Sequence, residues 1–380
     1  MNISVLQTFE EIQHVWNEFE KTSDYYGFQT YKWLYNWYNT VGEKVGIKLC
    51  LVRVETSEGE PLMLLPLGIQ KKYGVQCLQW LGGLVTDYHA PLLGRRLSGL
   101  VDSVKFCHLW EQIKEVLPYF DVVHFEKQPE WICNQYNPFL HLDCWPFHEK
   151  SYAATLDDSW ESFNKSKTRK NICADSRRQK RRLAEIGDLQ FRVVREYHDI
   201  ELLTSKMIEQ KSRRYKETGI RNLFEDEKYR SFYLNTAKEL AKTGIVHVSG
   251  LFLGDTIIAA HWGLVFRDRF YYLMPSFEGG SWAKYSPGRL LQEHLIKWCF
   301  DSDIKVFDFT VGDDSYKYNW ADKEMKLYEY IEPVSLKGRQ YILLTNIKQN
   351  LKKYSHLLNG LRKVKNTLKN SLLVKGAVIK

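Results

Sequence analysis

Apolar and polar residues alternate over several short runs of the chain, and each run predicts a β-strand. A first group of predicted elements comprises strands at 48–54, 61–69 and 75–81, a helix at 100–117 and a strand at 121–126. A second group comprises strands at 245–253, 256–266 and 269–274, a helix that begins at Ser286, and a strand at 305–310. Because both groups have the same order of elements, the pattern predicts an internal duplication.

Helical patterns occupy the segments between the two groups. A basic stretch at 165–182 lies on a predicted helix that follows a strand at 152–156 and ends near Gly187. Residues 197–242 contain two helix-like stretches separated by Gly219. These helices precede the second group of strands.

The helix of the second group has a start that suits an anion. Ser286 can cap it, Pro287 fits the first helical position, and apolar residues recur on one face over 291–299. Backbone N–H groups at a helix start lack internal partners and lie at the positive end of the helix dipole, where they can bind phosphate. Gly288 would permit close approach and Arg289 would add a charge-assisted contact. The alternative is an ordinary helix start that binds nothing.

Several motifs surround this helix and have weaker counterparts in the first half. The second-half motifs are Tyr285-Ser286-Pro287-Gly288, Phe307-Asp308-Phe309-Thr310-Val311-Gly312-Asp313, and Tyr316-Lys317 with Trp320. The first-half motifs are Phe28 with Trp33 and Trp37, and Asp87-Tyr88. Together, over about residues 25–330, they resemble the GNAT superfamily, and more closely its tandem-domain branch of CelD-like and FemABX-like acyltransferases. The glycine-doubled pyrophosphate loop of typical GNAT enzymes is reduced here to Gly288.

The resemblance implies an α/β (α+β) fold of two tandem GNAT-like domains. Each domain would have a mixed, mostly antiparallel sheet flanked by helices, and a basic helical tail would follow. The predicted boundaries are 1–150 for the N-terminal domain, 151–334 for the C-terminal domain with the acyl-CoA site, and 335–380 for the tail.

Composition agrees with two ordinary domains. The chain of 380 residues is 44% hydrophobic and 14% aromatic, which is enough to fill two cores. No apolar run is long enough to span a bilayer and the N-terminus lacks the pattern of a signal peptide, so a cytoplasmic location is expected. The seven cysteines include no Cys-x-x-Cys pair, and neither a disulfide framework nor a metal site is expected.

The positive charge is concentrated in two segments. The net charge is +8, and no acidic residue follows Glu332. Leucines at near-helical spacing over 351–373 lie beside lysines and arginines, so this tail either packs on the body or makes a peripheral contact with an anionic membrane at the inner face. In the other segment, Arg169 and Lys170 either face solvent or meet phosphates of CoA or the acceptor. That segment has no aromatic residue to stack on bases, so general nucleic-acid binding is not expected.

The reaction implied by the resemblance is attack of an amine on a thioester, with acyl-CoA as co-substrate and no permanently bound cofactor. It requires alignment of the reactants, a base for the amine and stabilisation of the carbonyl oxygen. Pro275 has no N–H, so the backbone N–H of Met274 is the expected donor to the oxygen. The residues expected to contact acyl-CoA are Met274, Ser286, Pro287, Gly288, Arg289 and Leu290.

Three residues are candidates for the base, and the sequence leaves the choice open. His261 lies mid-strand between the small residues Ala259 and Gly263, and an imidazole has a pKa near 6.5. Asp308 alternates with apolar neighbours, and Asp313 follows at the end of the same strand. The alternatives are a core histidine and surface carboxylates.

The acceptor is assigned by the resemblance alone. The residues expected to contact it are Asp87, Tyr88, His89, Arg169, Lys170, Tyr316, Lys317 and Trp320. The favoured function is N-acylation of an amino sugar, nucleotide-linked, for surface polysaccharide such as lipopolysaccharide in a bacterium. One alternative is a Fem-type aminoacyl-tRNA-dependent transferase of peptidoglycan, and another is a non-catalytic membrane-associated scaffold of polysaccharide assembly. A monomer or dimer is expected, and the acyl group is not predicted.

Overall fold

The computed structural model describes residues 1–156 and 159–345. The first half contains β1 (Asn2–Leu6), α1 (Phe9–Glu20), β2 (Ser23–Asp24), α2 (Tyr31–Trp37), β3 (Lys48–Glu55), β4 (Pro61–Lys72), β5 (Val75–Trp80), β6 (Leu92–Gly94), α3 (Leu97–Leu100), α4 (Ser103–Val116), β7 (Val122–Pro129), β8 (Trp131–Ile132), β9 (Gln135–Tyr136) and β10 (Trp145–Pro146). The second half contains β11 (Ser151–Thr155), α5 (Trp160–Phe163), α6 (Lys167–Ala184), β12 (Leu189–Val194), α7 (Tyr197–Thr218), α8 (Glu227–Leu240), β13 (Val246–Leu253), β14 (Thr256–Phe266), β15 (Arg269–Phe277), α9 (Pro287–Asp301), β16 (Val306–Val311), β17 (Lys323–Met325) and β18 (Leu327–Pro333).

Two mixed sheets organise the molecule, and this confirms the predicted fold class. The first sheet has the order β1-β3-β4-β5-β7-β18-β10, with β6 on β4 and β2 on β6. The second has the order β12-β13-β14-β15-β16-β11-β17. The pairs β5–β7 and β15–β16 are parallel, and the other pairs of these two sheets are antiparallel among the described residues. In each half an antiparallel meander leads through a helix, α4 or α9, into the strand that pairs in parallel.

α7 ends at a glycine, and α7 and α8 both pack on the second sheet. α7 stops at Thr218 because Gly219 follows with φ 68°, a left-handed conformation that glycine adopts without steric cost. α8 then packs on α7 and on β13, and α7 packs on β14 and β15. The two helices therefore cover one face of the second sheet.

A shared aromatic core joins the two halves. Trp33 of α2 packs edge-on against Phe232 of α8 at 5.0 Å between ring centroids, and Phe28 packs edge-on against Tyr271 of β15 at 5.1 Å. Trp33 also lies 6.0 Å from Trp262. Such pairs contribute about 0.5–1.5 kcal/mol each beyond the area that they bury. The halves are therefore bound together by buried rings.

The chain also crosses back from the second half to the first. β18 pairs antiparallel with β7, with Tyr330 opposite Phe125, and Lys114 Nζ lies 2.6 Å from Glu332 Oε1. β18 thus follows the second sheet in sequence but belongs to the first sheet in space. The boundaries 1–150, 151–334 and 335–380 stay predictions.

A helical segment at 336–345 ends the described part of the tail. Its Tyr341 packs with Val75, Cys77 and Val122 on the first sheet. The leucines and basic residues at 351–373 lie outside the described residues, so the choice between packing and membrane contact stays open. No helix within 1–156 and 159–345 is long and apolar enough to cross a membrane.

Candidate active site

A cavity of about 640 Å³ opens beside β15 and the start of α9. β15 pairs with β16 only over Arg269–Tyr271, and β15 continues to Phe277. The two strands separate after their short pairing, and the cavity lies at that point. The residues that line it are Ile172, Gln210, Lys211, Arg214, Tyr272, Pro275, Ser276, Phe277, Ala283, Ser286, Pro287, Gly288, Arg289, Gln292, Asp314, Tyr316, Asn319 and Trp320.

The start of α9 leaves a backbone donor free. Pro287 occupies the first helical position as predicted, but the prediction that the Ser286 side chain caps the helix is wrong. Ser286 has φ 53° and ψ 51°, and its carbonyl accepts the N–H groups of Arg289 and Leu290, each at 3.1 Å. This leaves the N–H of Gly288 without a hydrogen-bond partner in the described part of the chain.

Gly288 is required by packing as well as by any ligand. A Cβ at this position would lie 2.6 Å from Cδ1 of Phe277, a contact that real Cβ atoms do not make. The glycine therefore lets α9 approach the end of β15. The sequence predicted a glycine for ligand approach, and the structure adds this second reason.

Two polar side chains of α9 extend the site. Arg289 lines the cavity and forms an ion pair with Asp175 of α6. This pair lowers the pKa of Asp175, with the hydrogen bond from Arg289 as the main cause. Gln292 is only 4% exposed, and its Nε2 has no partner in the described residues although the side chain lines the cavity. A buried amide without a partner is costly unless a ligand or water satisfies it.

The other two residues predicted to contact acyl-CoA lie in the core. Met274 and Leu290 are buried, and neither is among the residues that line the cavity. The adjacent Pro275, Ser276 and Phe277 line it instead. The Ser276 hydroxyl lies 2.8 Å from Gln210 Oε1 and 3.0 Å from the carbonyl of Ala260, so this end of β15 is fixed to α7 and β14.

His261, the first candidate base, is enclosed. Its ring stacks on Tyr272 at 5.0 Å and on Phe270 at 5.3 Å, and burial holds its pKa well below the usual value. The imidazole fills the space above Gly263, since a Cβ at that glycine would lie 2.5 Å from His261 Cε1. His261 does not line the cavity, whereas its stacked neighbour Tyr272 does.

Asp308, the second candidate, lies in a polar network between the two halves. Its fully buried carboxylate accepts bonds from the Tyr88 hydroxyl at 2.7 Å, the Thr310 N–H at 2.8 Å and Arg269 Nη1 at 2.8 Å. Burial alone would lower the pKa of Arg269, but the Asp308 carboxylate raises it above its ordinary value. Thr310 has φ 59°, a strained conformation for a β-branched residue, and its bond to Asp308 helps to hold it.

Asp313, the third candidate, is exposed and accepts a hydrogen bond from the Tyr152 hydroxyl at 2.8 Å. None of the three candidates lines the cavity, whereas the neighbouring Asp314 does. Asp314 Oδ2 lies 3.8 Å from Lys317 Nζ. The catalytic assignments of His261, Asp308 and Asp313 stay predictions.

The first-half residues predicted to contact the acceptor lie apart from the cavity. Tyr88 is buried in the network with Asp308, and Asp87 Oδ1 lies 3.7 Å from Lys127 Nζ. His89 is buried with Nδ1 3.1 Å from the Glu126 carbonyl, and burial lowers its pKa to about 3. The structure therefore does not bring these three residues together with Gly288.

Two of the second-half residues predicted to contact the acceptor line the cavity. Tyr316 and Trp320 line the cavity. Lys317 is buried, and its Nζ donates to the carbonyls of Val311 at 2.9 Å and Thr310 at 3.2 Å. Burial lowers the pKa of Lys317, against the effect of Asp314. Lys317 thus fastens this wall to the end of β16.

The basic helix α6 contributes a structural residue and an exposed one. Arg169 donates to the carbonyls of Trp320 at 2.6 Å, Phe163 at 2.7 Å and Asn319 at 3.3 Å. Its guanidinium also lies 3.9 Å from the centre of the Phe163 ring. Arg169 therefore positions the segment at 317–320, while Lys170 is exposed on the same helix.

The helix α7 contributes a cavity residue that was not predicted from the sequence. Lys211 lines the cavity, and burial lowers its pKa to about 8, with Asp314 opposing the shift and Lys317 adding to it. A signal was present in the sequence. Leu203, Met207, Lys211 and Arg214 share one helical face, so two cations continue an otherwise buried stripe.

A separate cluster on the first sheet has metal-ligating side chains. One ligand atom each of His124, Glu126 and Glu329 lies within 4.8 Å of the others. His124 Nε2 lies 2.6 Å from Glu329 Oε1. Burial would lower the pKa of His124, but hydrogen bonds with Cys77 and Glu329 raise it to about 10. The arrangement is that of an ion pair joining β7 to β18.

Residues 166–318 match the family described as acetyltransferase (GNAT) domain. Three solved structures share the fold over most of their length. FemX has a TM-score of 0.57 at 11% identity, over 86% of this chain and 97% of FemX. A conserved protein of unknown function from Bacteroides thetaiotaomicron has a TM-score of 0.53 at 9% identity, over 86% of this chain and 99% of that one.

The third structure is the C-terminal domain of a protein from Agrobacterium fabrum named as a lysylphosphatidylglycerol synthetase. Its TM-score is 0.52 at 9% identity, over 90% of this chain and 96% of that domain. No curated protein sequence matches the chain. At these identities the three structures establish the fold, and the matched segment 166–318 contains α9, β14, β15 and β16.

Proposed function

We propose that the protein is an N-acyltransferase that binds acyl-CoA in the cavity beside β15 and α9 and transfers the acyl group to a primary amine. The observation that carries the proposal is the free N–H at the positive end of α9, which belongs to Gly288, a residue that lines the cavity. The cavity also lies within the segment 166–318 that matches the GNAT domain.

The two copies of the duplicated helix differ in the way that the proposal requires. α4 of the first half is capped by Asp102, whose side chain accepts the N–H of Lys105 at 2.9 Å. The Asp102 carboxylate thus occupies the backbone N–H of Lys105 in the first turn of α4, and its negative charge would repel a phosphate there. α9 has no side-chain cap, and its first turn therefore remains available to an anion.

The cavity has the size and lining for an extended thioester donor. Its volume of about 640 Å³ falls in the usual range of small-molecule sites, about 300–1,000 Å³. The pyrophosphate would lie at Gly288 and Arg289, with the unpartnered Gln292 amide beside it. The pantetheine arm would follow Pro275 to Phe277, and the thioester would reach Tyr272 and Tyr316.

The leaving sulfur gains negative charge when the carbon–sulfur bond breaks, and a hydrogen-bond donor stabilises it. Two tyrosines line the cavity, and burial raises the pKa of both Tyr272 and Tyr316. A phenol with a raised pKa stays protonated at neutral pH, so either hydroxyl can hydrogen-bond to the departing sulfur.

For the acceptor we propose an amino sugar, nucleotide-linked, used in surface polysaccharide biosynthesis. The aromatic wall of Tyr272, Tyr316 and Trp320 supports this choice because aromatic faces suit sugar rings, and the resemblance to the tandem branch supports it as well. A cytoplasmic location, with peripheral membrane contact through 335–380 as an alternative, belongs to the same proposal.

The donor site is tested by calorimetric titration with CoA and several acyl-CoAs at moderate salt. Gln292→Leu removes the unpartnered amide with little change in volume, and we expect CoA binding to weaken about tenfold, the loss of one hydrogen bond to a ligand. The matched control is Gln128→Leu, because Gln128 is a buried amide of β7 that also lacks partners within the described residues. Unchanged binding in Gln292→Leu would place the donor elsewhere, and no binding by the unmodified protein would refute acyl-CoA as donor.

A second candidate donor is aminoacyl-tRNA. The observation that favours it is an exposed basic stripe formed by Lys170, Arg177, Arg178 and Arg181 on α6, the helix whose other face supplies the cavity residue Ile172. Salt-dependent binding of charged tRNA together with no binding of CoA would select this donor. If neither donor binds and no thiol is released, the scaffold hypothesis is favoured.

A further inference from the structure

Lys211 differs from the other inward-facing cations of α7 because it has no ion-pair or hydrogen-bond partner within the described part of the chain. Lys206 Nζ and Arg213 Nη1 both pair with Glu278, at 2.7 and 2.5 Å. Lys211 Nζ lies 5.8 Å from the centre of the Tyr215 ring, and its side chain lines the cavity. An ammonium that is partly buried without a counter-ion is less well stabilised than an exposed one, so it gives up its proton more readily.

The position of Lys211 suits the acceptor end of the cavity. The cavity has its phosphate side at Gly288 and Arg289, where Asp175 provides the counter-charge. The charges that act on Lys211 are instead those of Asp314 and Lys317, in the wall that follows β16. Lys211 therefore belongs to the end that the thioester reaches.

The titratable and charged groups around Lys211 come from four elements. Arg214 and Tyr215 lie on α7 itself, and Arg214 pairs with Glu217. The groups on the other elements are His261 of β14, Tyr272 of β15, and Asp314, Tyr316 and Lys317 after β16. Burial keeps the pKa of His261 low and the pKa values of Tyr272 and Tyr316 high, so these three groups do not change protonation state near neutral pH.

We propose that Lys211 is the base that accepts the proton of the acceptor amine, an inference that rests on the proposed function. The amine nitrogen attacks the thioester carbonyl, and its proton moves to the lone pair of neutral Lys211 Nζ. When the tetrahedral intermediate collapses, the carbon–sulfur bond breaks and the Lys211 ammonium returns the proton to sulfur. The products are an amide and a free thiol, and no further reactant is consumed.

Lys211 is better suited to act as a base than the enclosed candidates His261 and Asp308. Burial lowers the pKa of Lys211 to about 8, close to the working pH that favours proton transfer. His261 stacks on Tyr272 and does not line the cavity, and Asp308 accepts hydrogen bonds from Tyr88, Thr310 and Arg269. Lys211, in contrast, has an amine and lines the cavity.

The test compares Lys211→Met and Lys211→Arg with the unmodified protein. Thiol release from acyl-CoA with an amino-sugar acceptor is measured from pH 6 to 10, and CoA binding is measured by calorimetry. We expect kcat/KM of the unmodified protein to rise with pH around a midpoint of about 8. In both variants kcat/KM should fall about 100-fold or more, the usual contribution of a general base, and its rise around pH 8 should disappear. The affinity for CoA should stay within about twofold. The control is Lys216→Met, an exposed lysine on the same helix, which should behave as unmodified protein.

A role of Lys211 as a fixed positive charge predicts a different result. Arginine keeps the charge but cannot act as a base, so an active Lys211→Arg with an unchanged pH profile would overturn the inference. An active Lys211→Met would overturn it as well.

Labelling separates this inference from the function on which it rests. The rate at which an amine-reactive reagent modifies Lys211 of the unmodified, ligand-free protein, followed by peptide mass spectrometry across pH, should show the midpoint near 8. A midpoint above 10 would overturn the inference even if acyl transfer occurs. Failure of the unmodified protein to bind acyl-CoA would instead refute the proposed donor, and with it the catalytic role of Lys211.

Discussion

Replacing Asp308 with asparagine distinguishes a structural carboxylate from a catalytic one. The side chain is fully buried, and it pairs with Arg269, whose side chain is 25% exposed. Asparagine keeps one acceptor oxygen for the Tyr88 hydroxyl or the Thr310 N–H, but it removes the charge opposite Arg269. Breaking a buried ion pair costs about 3–5 kcal/mol, and the partial exposure of Arg269 places this case near about 3 kcal/mol.

The assay is urea unfolding followed by tryptophan fluorescence. We expect Asp308→Asn to lower the free energy of unfolding by about 3 kcal/mol, while acyl transfer by the folded protein stays within about threefold. The double variant Arg269→Met, Asp308→Asn removes both charges. The free energy of unfolding of the double variant should fall by about 2 kcal/mol less than the sum of the decreases for Arg269→Met and Asp308→Asn, because neither charge is left buried without its partner. Unchanged stability with transfer lost at least 100-fold would refute this reasoning and make Asp308 a base.

Three further predictions follow from buried cations and histidines. The native pKa values of His89 and His247 are lowered to about 3 by burial, so the unfolded state binds more protons between pH 6.5 and 3. Stability should fall below pH 6.5 by up to about 1.4 kcal/mol per pH unit for each histidine, and the acid melting curve of His247→Phe should be less steep. Lys211→Met should raise the free energy of unfolding by about 1 kcal/mol at pH 7, a gain that calorimetry should find shrinking from pH 8 to 10.5 as the lysine becomes neutral in both states. Arg169→Gln should speed proteolysis at 317–322, because it removes donors to the carbonyls of Asn319 and Trp320.

The strands could be predicted because each buries alternate side chains against a core. The strand predicted at 256–266 matches β14, and Gly219 ends α7 as expected. β15 was predicted to end at Met274, but it continues through Pro275 to Phe277. Proline cannot donate to a sheet partner, and it is accommodated here where β15 has left β16.

The site was only partly predictable because folding joins segments that are distant in sequence. The start of α9 is a local signal, and its residues do line the cavity. Lys211 comes from a helix more than seventy residues before Gly288, and only the packing of α7 on β15 brings it there. Asp308 appears in the sequence as a candidate base, yet its partner Tyr88 lies 220 residues away.

The two halves have the same order of elements but different roles. The first-half loop before β6 places Tyr88 at the junction of the two halves, where its hydroxyl donates a hydrogen bond to Asp308 of β16. Asp308 in turn holds the strained Thr310, and the carbonyls of Thr310 and Val311 hold Lys317. This chain of contacts runs from the first half to the wall formed by Asp314 and Tyr316. The first half, whose own helix start is closed by Asp102, therefore acts on the proposed site by fixing the strand from which that wall extends.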